Sequence, residues 1–207
     1  MDTMERSTVT DSATVQLGAL SELLEGASTH SDKSKGAIPA LSTVQLRGEG
    51  GLITATATDR YRLIQGTIAG EGELSASLIP LDDIKRILAL LKGEGARVDS
   101  LPVTLTRLGD VLTVSVRGNS ISATLRDGNF PMDSQLENIF NPILQANDDK
   151  NMDKISFNPA LFADYAKIAG KGKPVTVTFT AKSKPMLIGL GGDKVEWRAA
   201  LMPMRVI

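Results

Sequence analysis

The chain has no cysteine and a single histidine, His30. The first absence excludes a disulfide framework, thiolate zinc sites and thiol nucleophiles, and it is compatible with a reducing cytoplasm. The second excludes any site that needs two imidazoles. No apolar run approaches the roughly 20 residues that span a bilayer. The polar residues 1–10 hold no signal-peptide core, so no membrane association is expected. A positive charge excess is also missing. The net charge is −1, and any contact with nucleic acid must come from local placement of lysine and arginine. Aromatics reach only 4%, but 42% hydrophobic and 23% charged residues in a chain of 207 suffice for one or two domains with a real core.

Catalytic constellations are lacking as well. Gly93-Glu94-Gly95 has no Gly-Lys-Ser/Thr ending and is no phosphate loop. Residues 189–192 are glycine-rich but lie between strand patterns, where a hairpin turn is expected. Asp82 and Asp83 read as favourable charges at a helix N-terminus, not as cation ligands. No set of histidine and carboxylates has metal-ligand spacing. His30, in a polar loop, reads as exposed and non-catalytic. The sequence is that of a binding protein, with no enzymatic activity, cofactor or metal expected.

What is present is a recurring switch between periods of two and 3.6 residues. In the first unit, a short strand (Val15, Leu17) leads into a helical stripe of Leu20, Leu23, Leu24 and Ala27. Strand-like runs follow over residues 40–47, 52–58 and 61–68, with a turn at Gly48-Glu49-Gly50-Gly51. The second unit opens with alternating Leu74, Ala76 and Leu78, broken by Pro80. Ile84, Ile87, Leu88 and Leu91 then mark a helix, and three strands follow, through Val103 and Leu105, through Leu112, Val114 and Val116, and through Ile121, Ala123 and Leu125. The third has a strand at Ile155 and Phe157. Asn158-Pro159 caps a helix carrying Leu161, Tyr165 and Ile168. Three more strands run through Val175 to Val177, Met186 to Leu190, and Val195 to Leu201. The order strand-helix-strand-strand-strand thus occurs three times. Residues 127–150, rich in Asn and Asp and holding Pro131 and Pro142, read as a linker with little regular structure.

Four short motifs carry a resemblance. Ala57-Thr58-Asp59-Arg60-Tyr61-Arg62-Leu63 and the C-terminal Met202-Pro203-Met204-Arg205-Val206-Ile207 resemble the Ala-Thr-Asp-x-x-Arg-Leu and Met-Pro-Met-Arg-Leu motifs of bacterial DNA polymerase III beta subunits, the sliding clamps. Asp127-Gly128-Asn129-Phe130-Pro131 is similar to that family's Asp-Gly-x-Phe-Pro. Leu78-Ile79-Pro80-Leu81-Asp82-Asp83-Ile84 is similar to its strand-to-helix entry. The four occur in the family's order, over most of residues 15–206. Gln135 and Ala200 depart from the arginine and larger aliphatic usual there, and the family's first domain has no counterpart.

The resemblance implies an α+β DNA-clamp fold, with helices on one face of antiparallel sheets. The organisation expected is a disordered arm at 1–12, a clamp domain of two units at 13–140, a linker at 141–152, and a third unit with a partner-binding tail at 153–207. It implies a groove for short peptides of the polymerase and clamp loader, anchored by a Leu or Phe side chain. That groove would be built from Leu41, Thr58, Arg60, Tyr61, Arg62, Leu63, Pro131, Leu136, Ala200, Met202, Pro203, Met204, Arg205 and Val206, with Arg62 and Arg205 as rim donors. It also implies that the helices face double-stranded DNA, bound without sequence preference. Lys85, Arg86, Lys92, Lys167, Lys171 and Lys173, with Lys33 and Lys35 from a loop, are the cations expected there. Rings of this family contain twelve units, so three-unit chains would close as a homotetramer, with a homotrimer as the alternative. The shortened architecture suggests a phage or mobile element. Two other readings stand beside the ring: a monomeric decoy that sequesters clamp-binding peptides, and an unrelated α+β enzyme.

Overall fold

A computed structural model describes residues 10–94, 99–131, 133–145, 155–179 and 184–204. Strand β1 (Thr10–Gln16) runs directly into helix α1 (Leu17–Ser28), whose Leu17, Leu20, Leu23, Leu24 and Ala27 are all buried. A single 3-10 turn (Pro39–Ser42) precedes the hairpin β2 (Thr43–Glu49) and β3 (Leu52–Thr58), reversed at Gly50 and Gly51, both at positive φ. Strand β4 (Arg62–Pro80) is 19 residues long. Pro80 ends it and opens α2 (Leu81–Gly93), which carries Asp82 and Asp83 in its first turn and Lys92 in its last, as the helix dipole favours. Strands β5 (Pro102–Leu108), β6 (Val111–Val116) and β7 (Asn119–Thr124) form a meander. Helix α3 (Asp133–Gln145) follows, then α4 (Pro159–Ala169), capped by the Asn158 side chain, which accepts from the Ala160 N–H at 2.9 Å. Strands β8 (Val175–Thr178), β9 (Met186–Leu190) and β10 (Glu196–Leu201) complete the described chain.

All strand pairs are antiparallel, in the order β7-β6-β5-β1-β4-β10-β9-β8, with β2 and β3 paired to each other and to β4. The pairing explains why the first two units form one body. Each contributes its first strand to the other: β1 pairs with β5, and the C-terminal half of β4 pairs with β2. The third unit joins through β10, which pairs with the N-terminal half of β4. Trp197 of β10 packs on this seam. A Cβ on Gly26 of α1 or on Gly66 of β4 would lie 2.5 Å from its indole, so both positions leave room that only glycine provides.

Side-chain alternation assigns the faces. Ile64, Ala199 and Leu201 point into the main core with α1, α2 and α4. Their neighbours Leu63 and Ala200 point the other way and pack with Leu136 and Phe140 of α3. The clamp-like α+β architecture expected from the sequence is what the chain adopts, with one addition: the helices of the three units share a face, whereas α3 lies on the opposite one.

Other expectations need correction. Residues 10–12 are not part of a disordered arm but open β1, where Ser12 pairs with both Glu73 and Thr106. Leu17 starts a helix rather than ending a strand. The strand expected from residue 40 begins at Thr43, and two expected strands over residues 61–78 are one continuous β4. Residues 133–145, assigned to a region of little regular structure and in part to a linker, are α3. Ile155 and Phe157 flank a single bridge, Ser156 to Met204, rather than a strand. His30 is buried, not exposed.

Candidate partner-peptide site and the helix face

The turn between β3 and β4 is held by its own side chains. Asp59 Oδ1 accepts from the backbone N–H groups of Tyr61 (3.0 Å) and Arg62 (2.9 Å), and Thr58 Oγ1 accepts from Arg60 N (3.2 Å) and donates to Arg62 O (2.7 Å). These bonds hold Arg60 at φ 75°, a conformation that costs a non-glycine residue on the order of 1 kcal/mol or more. The result is an exposed Tyr61 ring and an exposed Arg60 guanidinium, which lies 3.8 Å from Asp32. The Tyr61 carbonyl accepts from Met202 N at 2.8 Å, bringing the C-terminal segment beside the turn.

A pocket of about 90 Å³ opens between that turn, β10 and α3. Nine of the residues expected in the groove line it: Thr58, Arg60, Tyr61, Arg62, Leu63, Pro131, Leu136, Ala200 and Met202. Ile139 and Pro185 line it too and were not expected. The helical spacing of Leu136, Ile139 and Phe140 would have revealed the first; no sequence signal marks the second. Leu41 is buried in the 3-10 turn and is not a lining residue, although its carbonyl accepts from Asp32 N at 2.8 Å. Pro203 and Met204 continue past the pocket, and Met204 N donates to Ser156 O at 2.7 Å. Arg205 and Val206 lie outside the described residues.

Arg62 does not serve as a rim donor. Its side chain is 7% exposed and its guanidinium donates to Asp59 Oδ2 (2.9 Å), Asp164 Oδ2 (2.6 Å), Leu161 O (3.4 Å) and Thr29 O (3.1 Å). It ties β4 to the C-terminal end of α1 and to α4. Burial works to raise the Asp164 carboxyl, but hydrogen bonds from Lys167 and Arg62 hold it below the usual carboxylate range. His30 sits beside this network, its ring 4.7 Å from that of Tyr165. Burial, reinforced by the Arg62 charge, lowers its pKa to about 3, so the ring is neutral at pH 7. The Tyr165 hydroxyl donates to Ala200 O at 3.1 Å, linking α4 through the sheet to the residue whose methyl lines the pocket.

On the opposite face, α1, α2 and α4 border an open cleft of about 470 Å³ lined by both signs of charge: Glu22, Glu25 and Asp99 against Lys92, Lys167 and Lys194. The cations expected to meet DNA are exposed, but most are already paired. Lys85 meets Asp82 (2.8 Å), Arg86 meets Asp83 (2.6 Å), Lys92 meets Glu25 (2.7 Å), Lys167 meets Asp164 (2.8 Å) and Lys173 meets Asp193 (2.5 Å). Lys33 and Lys35 are exposed on the loop before the 3-10 turn, and Lys171 is exposed after α4. Lys194, paired with Asp99 at 2.6 Å, joins this face without having been expected. Among the described residues no group of three or more metal-ligating side chains forms, and no helix is long and apolar enough to cross a membrane.

This combination of exchanged strands, helices on one face and a C-terminal segment beside the β3–β4 turn has a match among solved structures. The chain superposes on the DNA polymerase III beta subunit of Thermotoga maritima with a TM-score of 0.74 over 100% of its length, at 15% identity. The fold is that of DNA polymerase III beta subunits. The Pseudomonas aeruginosa subunit gives a TM-score of 0.74 over 99% of this chain at 14% identity, and a Pseudomonas aeruginosa sliding clamp bound to griselimycin gives 0.71 over 100% at 16%. This chain spans 70%, 69% and 68% of those three chains, respectively. No protein-family model matches the sequence, and no curated protein matches it. The likeness to the clamp fold is thus one of architecture at low sequence identity.

Proposed function

We propose that this protein is a sliding clamp, a non-enzymatic processivity factor that encircles duplex DNA in the cytoplasm and captures polymerase and clamp-loader peptides. The observation that carries the proposal is the pocket beside the Asp59 turn. In a chain with the clamp fold, residues from separate motifs converge on one small apolar cavity with an exposed cation at its mouth. The face bearing the unit helices would look toward DNA. Its paired charges suit a ring that moves, because affinity for DNA rises with each phosphate neutralised and tight binding would oppose sliding. Strands β7 and β8 stand at the two ends of the strand order, so head-to-tail pairing of one copy's β7 with another's β8 would close a ring. Three units per chain favour a homotetramer.

The experiment is native mass spectrometry combined with retention on DNA. The expected result is a tetramer that stays on nicked circular DNA and runs off when the circle is linearised. A monomer that binds a short Leu-anchored or Phe-anchored peptide without being retained on circles would instead identify a decoy. Failure of both peptide binding and retention would overturn both readings.

A further inference from the structure

The pocket beside the Asp59 turn is small for a peptide anchor. Its volume is about 90 Å³, whereas an apolar cavity of roughly 150 Å³ is the size known to hold benzene. The wall that narrows it is α3. Leu136 and Ile139 project from that helix into the lining, opposite Leu63 and Ala200 of the sheet. The helix is fastened beyond the pocket: Phe140 is buried against the same cluster, and Arg198 of β10 lies 4.4 Å from the Phe140 ring centroid while also pairing with Glu137. The mouth carries Arg60, with 59% of its side chain exposed and its carboxylate neighbour Asp32 at the long distance of 3.8 Å.

We infer that α3 makes this pocket selective for a peptide whose anchor is a single aliphatic side chain, flanked by an acidic residue that meets Arg60. An aromatic anchor is refused because Ile139 and Leu136 occupy the space it needs. The inference rests on the proposed peptide-binding role of the pocket. Ile139 is the residue to change, because it lines the pocket yet is only partly buried.

Two labelled peptides test this, identical and acidic beside the anchor, one anchored by Leu and one by Phe. Fluorescence polarisation on the full chain is expected to show the Leu peptide favoured by about tenfold, the scale on which a hydrophobic pocket discriminates by size. Ile139→Ala should erase or reverse the preference, and Ile139→Val should shift it the same way by less, with circular dichroism verifying that both variants stay folded. Arg60→Glu should weaken both peptides several-fold and leave their ratio unchanged. Equal binding of the two peptides by the unaltered chain, or a preference unmoved in both Ile139 variants, would overturn the role of α3 while leaving the peptide site intact. Affinities untouched by Arg60→Glu would overturn the acidic flank. If neither peptide binds the unaltered chain, the peptide-site reading itself fails, and the selectivity with it.

Discussion

Arg62 and Lys92 each hold a carboxylate at nearly the same distance, 2.6 Å to Asp164 and 2.7 Å to Glu25, one in the interior and one on the surface. The Arg62 pair, beneath the candidate pocket, has side chains 7% and 22% exposed. The Lys92 pair, on the helix face, has side chains 62% and 57% exposed. The same chemistry does different things in the two places. Below the pocket it fixes the turn, α1 and α4 in one geometry, since a buried charge stripped of its partners is costly. On the helix face it neutralises cations that water would otherwise solvate, with little effect on folding.

The sharpest way to break this contrast is Arg62→Ala. It leaves Asp59 without its cation, Asp164 with Lys167 alone, and the Thr29 and Leu161 carbonyls without the guanidinium donor, so a loss of about 3–5 kcal/mol is expected. Urea denaturation followed by circular dichroism measures it. A loss under about 1 kcal/mol would show that the network is as dispensable as a surface pair.

His30 gives the next largest effect. Its pKa falls from 6.5 in the unfolded chain to about 3 in the fold. Between those values the unfolded state binds a proton that the folded state does not, so stability falls as pH falls, by about 1.4 kcal/mol per pH unit. From pH 6.5 to 5 the loss should be about 1.6 kcal/mol, since the unfolded histidine is half protonated at the upper limit. Asp164, whose pKa is lowered from 3.8, loses its contribution only at more acid pH, and Glu22, raised from 4.5 by burial, opposes the histidine's slope rather than adding to it. In denaturation midpoints across this window, His30→Gln should flatten the slope; a slope that persists would assign the proton uptake elsewhere.

Little of that buried network was legible in the sequence, for a physical reason. Arg62 and Asp164 are 102 residues apart, and nothing local in either segment names the other. His30 stands among Ser, Thr, Asp and Lys, a composition typical of exposed loops, yet the fold covers it with Tyr165 from α4. The Asp59 segment was noticed only through its motif resemblance, although its bonds run between residues two to four positions apart and are local in the sequence. Most strands were readable because alternation records which face is buried. Helix α3 lay between these cases. The spacing of Leu136, Ile139 and Phe140 was present, but Pro142 and the surrounding Asn and Asp suggested a linker, and its docking surface of Leu63 and Ala200 becomes continuous only when β10 pairs with β4.

The helix face supplies the smallest effect on stability and the means to sharpen its role. Lys92→Ala should change unfolding free energy by no more than about 0.5 kcal/mol, because both members of its pair are well exposed. If this face meets phosphates, charge placement should register instead in salt dependence. Glu25→Lys removes an acid that neutralises Lys92 and adds a cation beside it. Each additional phosphate contact should steepen the fall of log affinity with log salt by about 0.9. Glu25→Lys is therefore expected to tighten duplex binding at low salt, steepen that slope by about one contact or more, and slow diffusion along DNA, with the fold unchanged. An unaltered slope would place the path of DNA elsewhere and leave the Lys92 pair as ordinary surface charge.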